Sequence, residues 1–331
     1  MSGPVFETLD DVTYGEAEQV SPLIRRIIAE NPSKFTYHGT GTYIVGRGDI
    51  VVIDPGPDLV SHRDALWKVV RSERVRAILV THCHSDHSPL AAWLSAESGA
   101  PTIAVGPHGE VESPEGMFDG EEELGPKRKP VEDAESGDDT GETEIKIEES
   151  IDTAFTPDVR CVDGEVVVDG AGLTMTAVPT PGHTSNHCAF SLSEESALFT
   201  GDHIMGWSTT VVSPPDGDMR AYMASLRKVA GRGDGSLWPT HGPPRYDAET
   251  YVRALIAHRE SRSAQIIEFI DENGPSTVPE MVRVLYASVR EELHRPAARS
   301  VLAHLIELVD DGRVHIADGG GPRISARFAR G

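Results

Sequence analysis

Short apolar runs that end in polar loops recur along the first 240 residues. Residues 76–81 read RAILVT, which has the length and composition of a buried strand, and they run directly into HCHSDH at residues 82–87. Residues 59–70 and 90–97, on either side, carry apolar side chains at helical spacing. The pattern predicts strands alternating with helices, with the histidine cluster on a loop at a strand end.

Other predicted strands also lead into residues that can bind a metal or a proton. The turn-forming sequence Gly46-Arg47-Gly48-Asp49 predicts a hairpin between residues 41–45 and 50–53. Each of the following candidates comes after a predicted strand: Asp54 after residues 50–53, His183 after residues 173–178, Asp202 after residues 197–200, and His241 after residues 237–240. A sheet that presents a site from the loops at one edge would bring such residues together.

The pattern changes after Tyr251. Apolar periodicity predicts three helices and a terminal hairpin, at residues 252–272, 277–286, 295–310, and 312–316 paired with 323–328. Either Ser276 or Thr277 can cap the second of these helices. Three helices and a hairpin predict a winged-helix topology, so we divide the chain into a catalytic domain at residues 1–250 and a winged-helix-like domain at residues 251–331.

An acidic segment at about residues 109–152 interrupts the catalytic domain. It holds 17 acids and 4 bases, and so contributes −13 of the formal net charge of −23. Few large apolar residues are present, so the segment is poor in the side chains that offset the entropy of ordering. We expect a solvated, partly mobile surface insertion, with a flap that covers the substrate as the alternative.

The composition bears on where the protein resides. The three cysteines form no closely spaced framework, and a chain of 331 residues can bury a large core without disulfides. The N-terminus lacks an apolar signal segment, and no stretch reaches the roughly 18 uninterrupted apolar residues of a membrane span. We therefore predict a soluble, cytoplasmic protein that does not associate with membranes.

The loop at residues 82–87 has the composition of a metal site. It offers His82, His84, Asp86 and His87 within six residues. His82 and His84 are spaced to bind one ion together, and Asp86 and His87 can turn towards a second ion a few ångströms away. Cys83 lies between two candidate ligands, but alternate residues of an extended segment point in opposite directions, so it is expected to pack inward.

Three distant residues complete the predicted metal set. His183 can complete the first site and His241 the second, while Asp202 is the right type of residue to bridge both ions. Imidazole and carboxylate ligands leave a coordination position for water, unlike the closed cysteine cages of structural zinc sites. The sequence therefore predicts an open, catalytic site.

These motifs resemble those of the metallo-β-lactamase superfamily. Its signature H-x-H-x-D-H is present at residues 82–87, and the other shared motifs follow in the family's order: Ile53-Asp54-Pro55-Gly56, Pro181-Gly182-His183-Thr184, Thr200-Gly201-Asp202 and Thr240-His241-Gly242. The resemblance covers roughly residues 24–246. Residues 35–45, residues 206–210 and the helical tail further resemble the group containing β-lactamase-like protein 2, which carries a C-terminal winged-helix domain.

The resemblance implies an α+β fold, an αββα sandwich, followed here by the small winged-helix-like domain. It also implies two zinc ions per chain, although iron or manganese can occupy such ligands when available. It places Asp54 next to a ligand imidazole, which its carboxylate would orient; an ordinary turn aspartate is the alternative. We expect a metal-bridging hydroxide as the nucleophile, with Asp86 as the catalytic residue that binds the second ion and accepts the proton.

The substrate remains open at this point between ester, thioester and phosphodiester. The resemblance favours an endoribonuclease that cleaves single-stranded RNA, and a glyoxalase II-like thioester hydrolase is the alternative enzyme. A winged-helix nucleic-acid-binding or scaffold protein is the alternative of another class. Residues 252–331 carry 11 bases and 11 acids, a balance without the basic stripe of a nucleic-acid reader. The winged helix could also form a homodimer.

Overall fold

Two β-sheets stacked face to face form the centre of the larger, N-terminal part of the molecule. The computed structural model describes residues 3–125 and 150–331. Seven strands form the first sheet in the order β1 to β7, and five form the second in the order β12-β11-β10-β9-β8. Their bounds are Glu18–Gln19, Ile24–Ile28, Gly41–Arg47, Asp49–Ile53, Arg74–Leu79, Thr102–Ala104 and Val159–Arg160 for β1 to β7, then Val166–Gly170, Leu173–Pro179, Cys188–Leu192, Ala197–Gly201 and Ser236–Pro239 for β8 to β12.

Alternating side chains of each strand face the two sides of its sheet. In β4, Val51 and Ile53 pack between the sheets, whereas Ile50 and Val52 face the outer layer. In β11, Phe199 packs between the sheets, against Tyr43 of the first sheet at 5.1 Å between ring centroids. The period-2 pattern of the sequence therefore becomes three apolar layers, one between the sheets and one on each outer face.

Helices cover the outer face of each sheet. Helices α1 (Val60–Val70) and α2 (Leu90–Ser98) pack on the first sheet, and α3 (Met219–Ala230) and α4 (Ala248–Asn273) pack on the second. This arrangement confirms the predicted αββα sandwich. None of the helices within residues 3–125 and 150–331 combines the length and apolar character needed to cross a membrane.

The strands that precede the candidate ligands end at one edge of the sandwich. Strands β4 and β5 run parallel, as do β11 and β12, and β9 shares the direction of β11 through two antiparallel pairings. The backbone N–H of Gly41 donates to the carbonyl of Thr240 at 2.9 Å, which joins the two sheets at this edge. The loops after these strands therefore lie close together.

The C-terminal residues form a small helical domain with a hairpin, as predicted. Helices α5 (Val278–Leu285) and α6 (His294–Asp310) pack on the end of α4, and β13 (Val314–Ile316) pairs with β14 (Phe328–Arg330). The prediction of the second hairpin strand at residues 323–328 was wrong. Ile324 and Ala326 are buried against the helices instead, and the N–H of Ile324 donates to the Met117 carbonyl at 2.9 Å, so pairing begins only at Phe328.

The acidic insertion differs from the predicted solvated loop in the parts that the structure describes. Met117 and Leu124 are buried in the apolar core of the C-terminal domain, and Glu121 forms an ion pair with Arg299 at 2.8 Å. At the other end, Ile151 forms a β-bridge with His84. Burial of these apolar residues offsets the cost of ordering both ends. Residues 126–149 of the predicted insertion lie outside the described part of the chain.

The N-terminus of α5 provides a test of the C-terminal domain. The Thr277 hydroxyl accepts from the Glu280 N–H, and the Glu280 carboxylate accepts from the Thr277 N–H, which forms a capping box. We expect Thr277→Ala to lower the free energy of unfolding by about 1 kcal/mol, measured by urea denaturation. Thr277→Ser keeps the hydroxyl, so its free energy of unfolding should fall by only a few tenths of about 1 kcal/mol. Equal losses in the two variants would contradict the capping role.

Candidate metal centre

Seven imidazole and carboxylate side chains converge at the strand-end edge, and all seven were predicted from the sequence. The structure brings together His82, His84, Asp86, His87, His183, Asp202 and His241. They come from four separate loops, after β5, β9, β11 and β12. Most of them are fully buried; His84 and His183 are partly exposed towards a cavity.

The first cluster consists of three histidines. Nδ1 of His84 lies 3.0 Å from Nε2 of His82 and 3.2 Å from Nε2 of His183. The far nitrogen of His183, Nδ1, donates to the carbonyl of Val211 at 2.7 Å, because a carbonyl can only accept. In the neutral ring, Nε2 of His183 therefore carries a lone pair directed into the cluster.

The second cluster consists of Asp86, His87 and His241. Oδ2 of Asp86 lies 3.3 Å from Nε2 of His87 and 3.3 Å from Nε2 of His241. His241 donates from Nδ1 to the carbonyl of Gly39 at 3.2 Å, so its Nε2 faces the cluster. Thr40 donates to the same Asp86 oxygen at 2.8 Å and fixes its position.

Asp202 lies between the two clusters. Its Oδ1 is 3.6 Å from His87 Nε2 and 3.4 Å from His241 Nε2, and its Oδ2 is 3.8 Å from His183 Nε2. One oxygen thus faces each cluster, the arrangement needed to contact two ions at once.

The spacing of these atoms fits divalent metal ions. Two ligands that each lie about 2.0–2.1 Å from a tetrahedral ion are about 3.3 Å apart, close to most of the distances within the two clusters. Buried atoms with no hydrogen-bond partner include His87 Nε2 and Asp202 Oδ1. Leaving such atoms unpaired is costly, and a cation between them would remove that cost.

Asp54 fixes the orientation of His87 from behind. Its Oδ2 accepts from His87 Nδ1 at 2.9 Å and from the Thr240 hydroxyl at 3.1 Å, and its two oxygens accept from the N–H and hydroxyl of Thr81, both at 2.8 Å. Asp54 adopts a left-handed backbone conformation with φ 48°, which is uncommon for aspartate. The four hydrogen bonds hold the carboxylate in this position, 1% exposed.

Two histidines in each cluster have shifted pKa values, and the shifts have opposite directions in the two clusters. Burial, then the neighbouring imidazole of His183, lowers the pKa of His84 to about 3, and burial also lowers the pKa of His82 well below its usual value. These rings are neutral, which is the form that binds metals. Burial opposes the charge on His241 as well, but Asp202 and Asp86 outweigh it and raise the pKa to about 10; Asp86 and Asp202 likewise raise the pKa of His87.

Sequence reasoning missed His187, which supports the centre without facing it. Its Nε2 accepts from the backbone N–H of Asp202 at 3.2 Å, and its Nδ1 donates to the Thr180 hydroxyl at 2.8 Å. A Cβ at Gly201 would lie 2.6 Å from this Nε2, and Gly201 has φ +50°, so the position requires glycine. The spacing of His183 and His187 around a turn was the available signal. His203 is buried beside Tyr222 and does not join the centre.

A cavity of about 220 Å³ opens above the centre. His84, Asp86, His183, Asp202 and His241 form its floor. Its walls are mostly apolar and include Phe35, Phe118, Ile151, Met205, Val211 and Pro214. The C-terminal domain contributes Arg299. Phe118 and Ile151 belong to the two described ends of the acidic insertion, which therefore frames the entrance to the site.

Two family models match this chain, one in the sandwich and one in the C-terminal domain. The family model described as metallo-beta-lactamase superfamily matches residues 37–241, and the beta-lactamase associated winged helix domain matches residues 277–321. A Caenorhabditis elegans protein named beta-lactamase-like protein 2 homolog is 30% identical over 90% of this chain and 88% of its own length. An Aspergillus chevalieri protein named atrochrysone carboxyl ACP thioesterase is 29% identical over 90% of this chain and 85% of its length.

Solved structures show the same fold. A metallo-beta-lactamase family protein from Thermus thermophilus superposes with a TM-score of 0.67 at 23% identity, over 95% of this chain and 100% of its own. A beta-lactamase domain protein from Burkholderia ambifaria gives a TM-score of 0.70 at 21% identity, over 97% of this chain and 96% of its own. Both matches extend through the C-terminal domain.

The raised pKa values of His87 and His241 predict proton release on metal binding. The raised pKa values favour the protonated form of both rings in the metal-free protein, and a metal ion at Nε2 must displace that proton. Loading with zinc at pH 7 should release about two protons per chain, and zinc affinity should rise with pH until about pH 10. Calorimetry in buffers of different ionisation enthalpy measures the release. His315→Gln, at an exposed hairpin position, is the control and should release the same number of protons as the wild-type protein. Zinc binding without proton release would contradict the prediction.

Proposed function

The chain belongs to the metallo-β-lactamase superfamily, and from this premise we propose that it is a zinc-dependent hydrolase of thioesters whose acyl group is apolar. The observation that carries the proposal is the cavity above the metal centre, whose walls are largely apolar. Arg299 is the one lysine or arginine in the described lining, few cations for a polyanion such as RNA. The related protein named as an ACP thioesterase supports the same reaction class.

The proposed ligands follow the two clusters. His82, His84 and His183 would hold one zinc ion, and Asp86, His87 and His241 the other. Asp202, which has one carboxylate oxygen towards each cluster, would help to hold both ions. When bound, the two ions lower the pKa of a water molecule and polarise the carbonyl of the substrate.

The side chains of the centre have separate tasks in this reaction. Oδ2 of Asp86 faces His87 and His241, whereas its Oδ1 takes part in none of these contacts and can accept a hydrogen bond from the attacking water. The Thr40 hydroxyl donates to Oδ2 at 2.8 Å and holds the carboxylate in place. Asp86 lines the cavity, so its carboxylate reaches the substrate side of the centre.

The leaving group distinguishes a thioester from RNA. Water attacks the acyl carbon and gives a proton to the Asp86 carboxylate, a C–O bond forms, and the C–S bond breaks with its electron pair left on sulfur. A thiol has a pKa near 8.5, so the thiolate can leave without a proton donor, whereas the alkoxide leaving group of RNA needs one. The described lining of the cavity contains no lysine, tyrosine or cysteine to supply that proton, and its three histidines are proposed metal ligands.

The first test is turnover by the zinc-loaded protein. We expect about two zinc ions per chain by mass spectrometry and hydrolysis of an apolar acyl thioester, with a loss of about 100-fold or more in kcat for Asp86→Ala. Asp169→Ala, on the exposed face of β8, is the matched control and should keep full activity.

Two results would contradict the proposed thioester hydrolysis. One is cleavage of single-stranded RNA without thioester hydrolysis, which would instead support the endoribonuclease prediction made from the sequence. The other is nucleic-acid binding by metal-free protein with no turnover of any ester, which would support the binding or scaffold alternative.

Asp54 gives a test of the metal set that needs no substrate. Asp54→Asn keeps the size of the side chain but loses the charge that orients the His87 ring, so we expect zinc affinity to fall about 10- to 100-fold. Competition with a chromophoric chelator measures this affinity. Asp58→Asn, at an exposed position four residues away, is the control. Equal zinc affinity in both variants would show that Asp54 is only a turn residue.

A further inference from the structure

A second cavity, of about 200 Å³, lies between the sandwich and the C-terminal domain. It shares Phe35, Met205 and Val211 with the cavity above the metal centre. Because Phe35, Met205 and Val211 line both, the two cavities are neighbours with these side chains between them. A substrate that occupies both cavities must pass these three side chains.

The charge of the second cavity is opposite to that of the protein. Lys34, Arg259 and Arg290 line it, and its described lining contains no aspartate or glutamate. The chain as a whole has a formal net charge of −23. Arg290 has an exposed partner, Glu292, at 2.9 Å, while no carboxylate of the described residues pairs with Lys34 or Arg259. The cavity is a local positive site on an acidic molecule.

Arg259 is the strongest sign of a missing anion. It is 4% exposed, its Nη2 donates to the Thr210 carbonyl, and its guanidinium lies 5.2 Å from the ring centroid of Tyr222. Its Nε is buried without an acceptor, as is Nε1 of Trp207, which lines the same cavity. A buried guanidinium that lacks a counterion and leaves a donor unpaired is costly, and a bound anion would reduce that cost.

One stretch of backbone connects this arginine to the metal centre. The carbonyl of Thr210 accepts from Arg259, and the next carbonyl, of Val211, accepts from His183 at 2.7 Å. The Thr210 hydroxyl donates to the Asp202 carbonyl at 2.7 Å. Arg259 and His183 are therefore anchored on the carbonyls of two adjacent residues.

We propose that the second cavity binds an anionic group, phosphate above all, on the thiol portion of the substrate, while the acyl group lies in the first cavity. Arg259, Lys34 and Arg290 supply the charge. This assignment rests on the proposed thioester hydrolysis. It predicts a preference for thiol carriers that bear a phosphate over neutral thiols with the same acyl group.

The kinetic test compares two thioesters that differ only by phosphate, an acyl-pantetheine and its 4′-phosphate ester. We expect the wild-type protein to prefer the phosphorylated thioester by about 10- to 100-fold in kcat/KM, and Lys34→Gln/Arg290→Gln to lose about 10-fold of that preference. Both residues are at least partly exposed, so the double variant should fold. Arg253→Gln, an exposed arginine of α4 outside the cavity, is the matched control and should leave the preference unchanged.

A binding measurement separates this proposal from the proposed reaction. Calorimetry with pantetheine 4′-phosphate and with pantetheine needs no turnover, so it tests the cavity even if no thioester is hydrolysed. Tighter binding of the phosphate compound, weakened in Lys34→Gln/Arg290→Gln and in Arg259→Lys, supports the assignment. Equal affinity for the two thiols, or binding unchanged in the double variant, would overturn it. Displacement of the thiol by a single-stranded oligonucleotide that binds more tightly would also overturn it, in favour of nucleic acid.

Discussion

The buried carboxylate of Asp54 is the contact on which the geometry of the centre depends. It accepts hydrogen bonds from Thr81, at the end of β5 in the first sheet, and from Thr240, at the end of β12 in the second. It also holds His87. A single anion thus fixes the relative position of the two sheet edges and the ring between them. Its burial is tolerated because every oxygen is hydrogen-bonded.

The C-terminal domain takes part in the site through packing and not through ligands. All seven side chains of the candidate metal centre lie before residue 242. Helix α4, however, contributes Arg259 to the wall of the second cavity. Helix α6 contributes Arg299 to the wall of the first. The described start of the acidic insertion is buried in the core of the same domain. The shape of the cavity therefore requires the sandwich, the insertion and the C-terminal domain together.

The sequence was sufficient to predict the seven candidate ligands because each follows an apolar strand, and parallel strand ends meet at one edge of a sheet. The αββα fold required the family resemblance as well, whereas apolar periodicity already predicted the winged helix. Other features depend on contacts between residues far apart in the chain. Apolar periodicity does not predict such contacts. His187 supports a backbone amide 15 residues away, and Phe118 and Arg259 meet the site from separate elements. The hairpin boundary failed because Ile324 is buried against helices.

The walls of the cavity and its floor come from different segments. Phe35, Phe118 and Ile151 lie on loops that carry none of the metal-facing side chains. Mutation can therefore alter what fits above the centre while the chemistry beneath it is preserved. Such a division lets a lineage diversify its substrates by drift in the loops alone, and it makes those loops the natural targets for directed evolution of a new specificity.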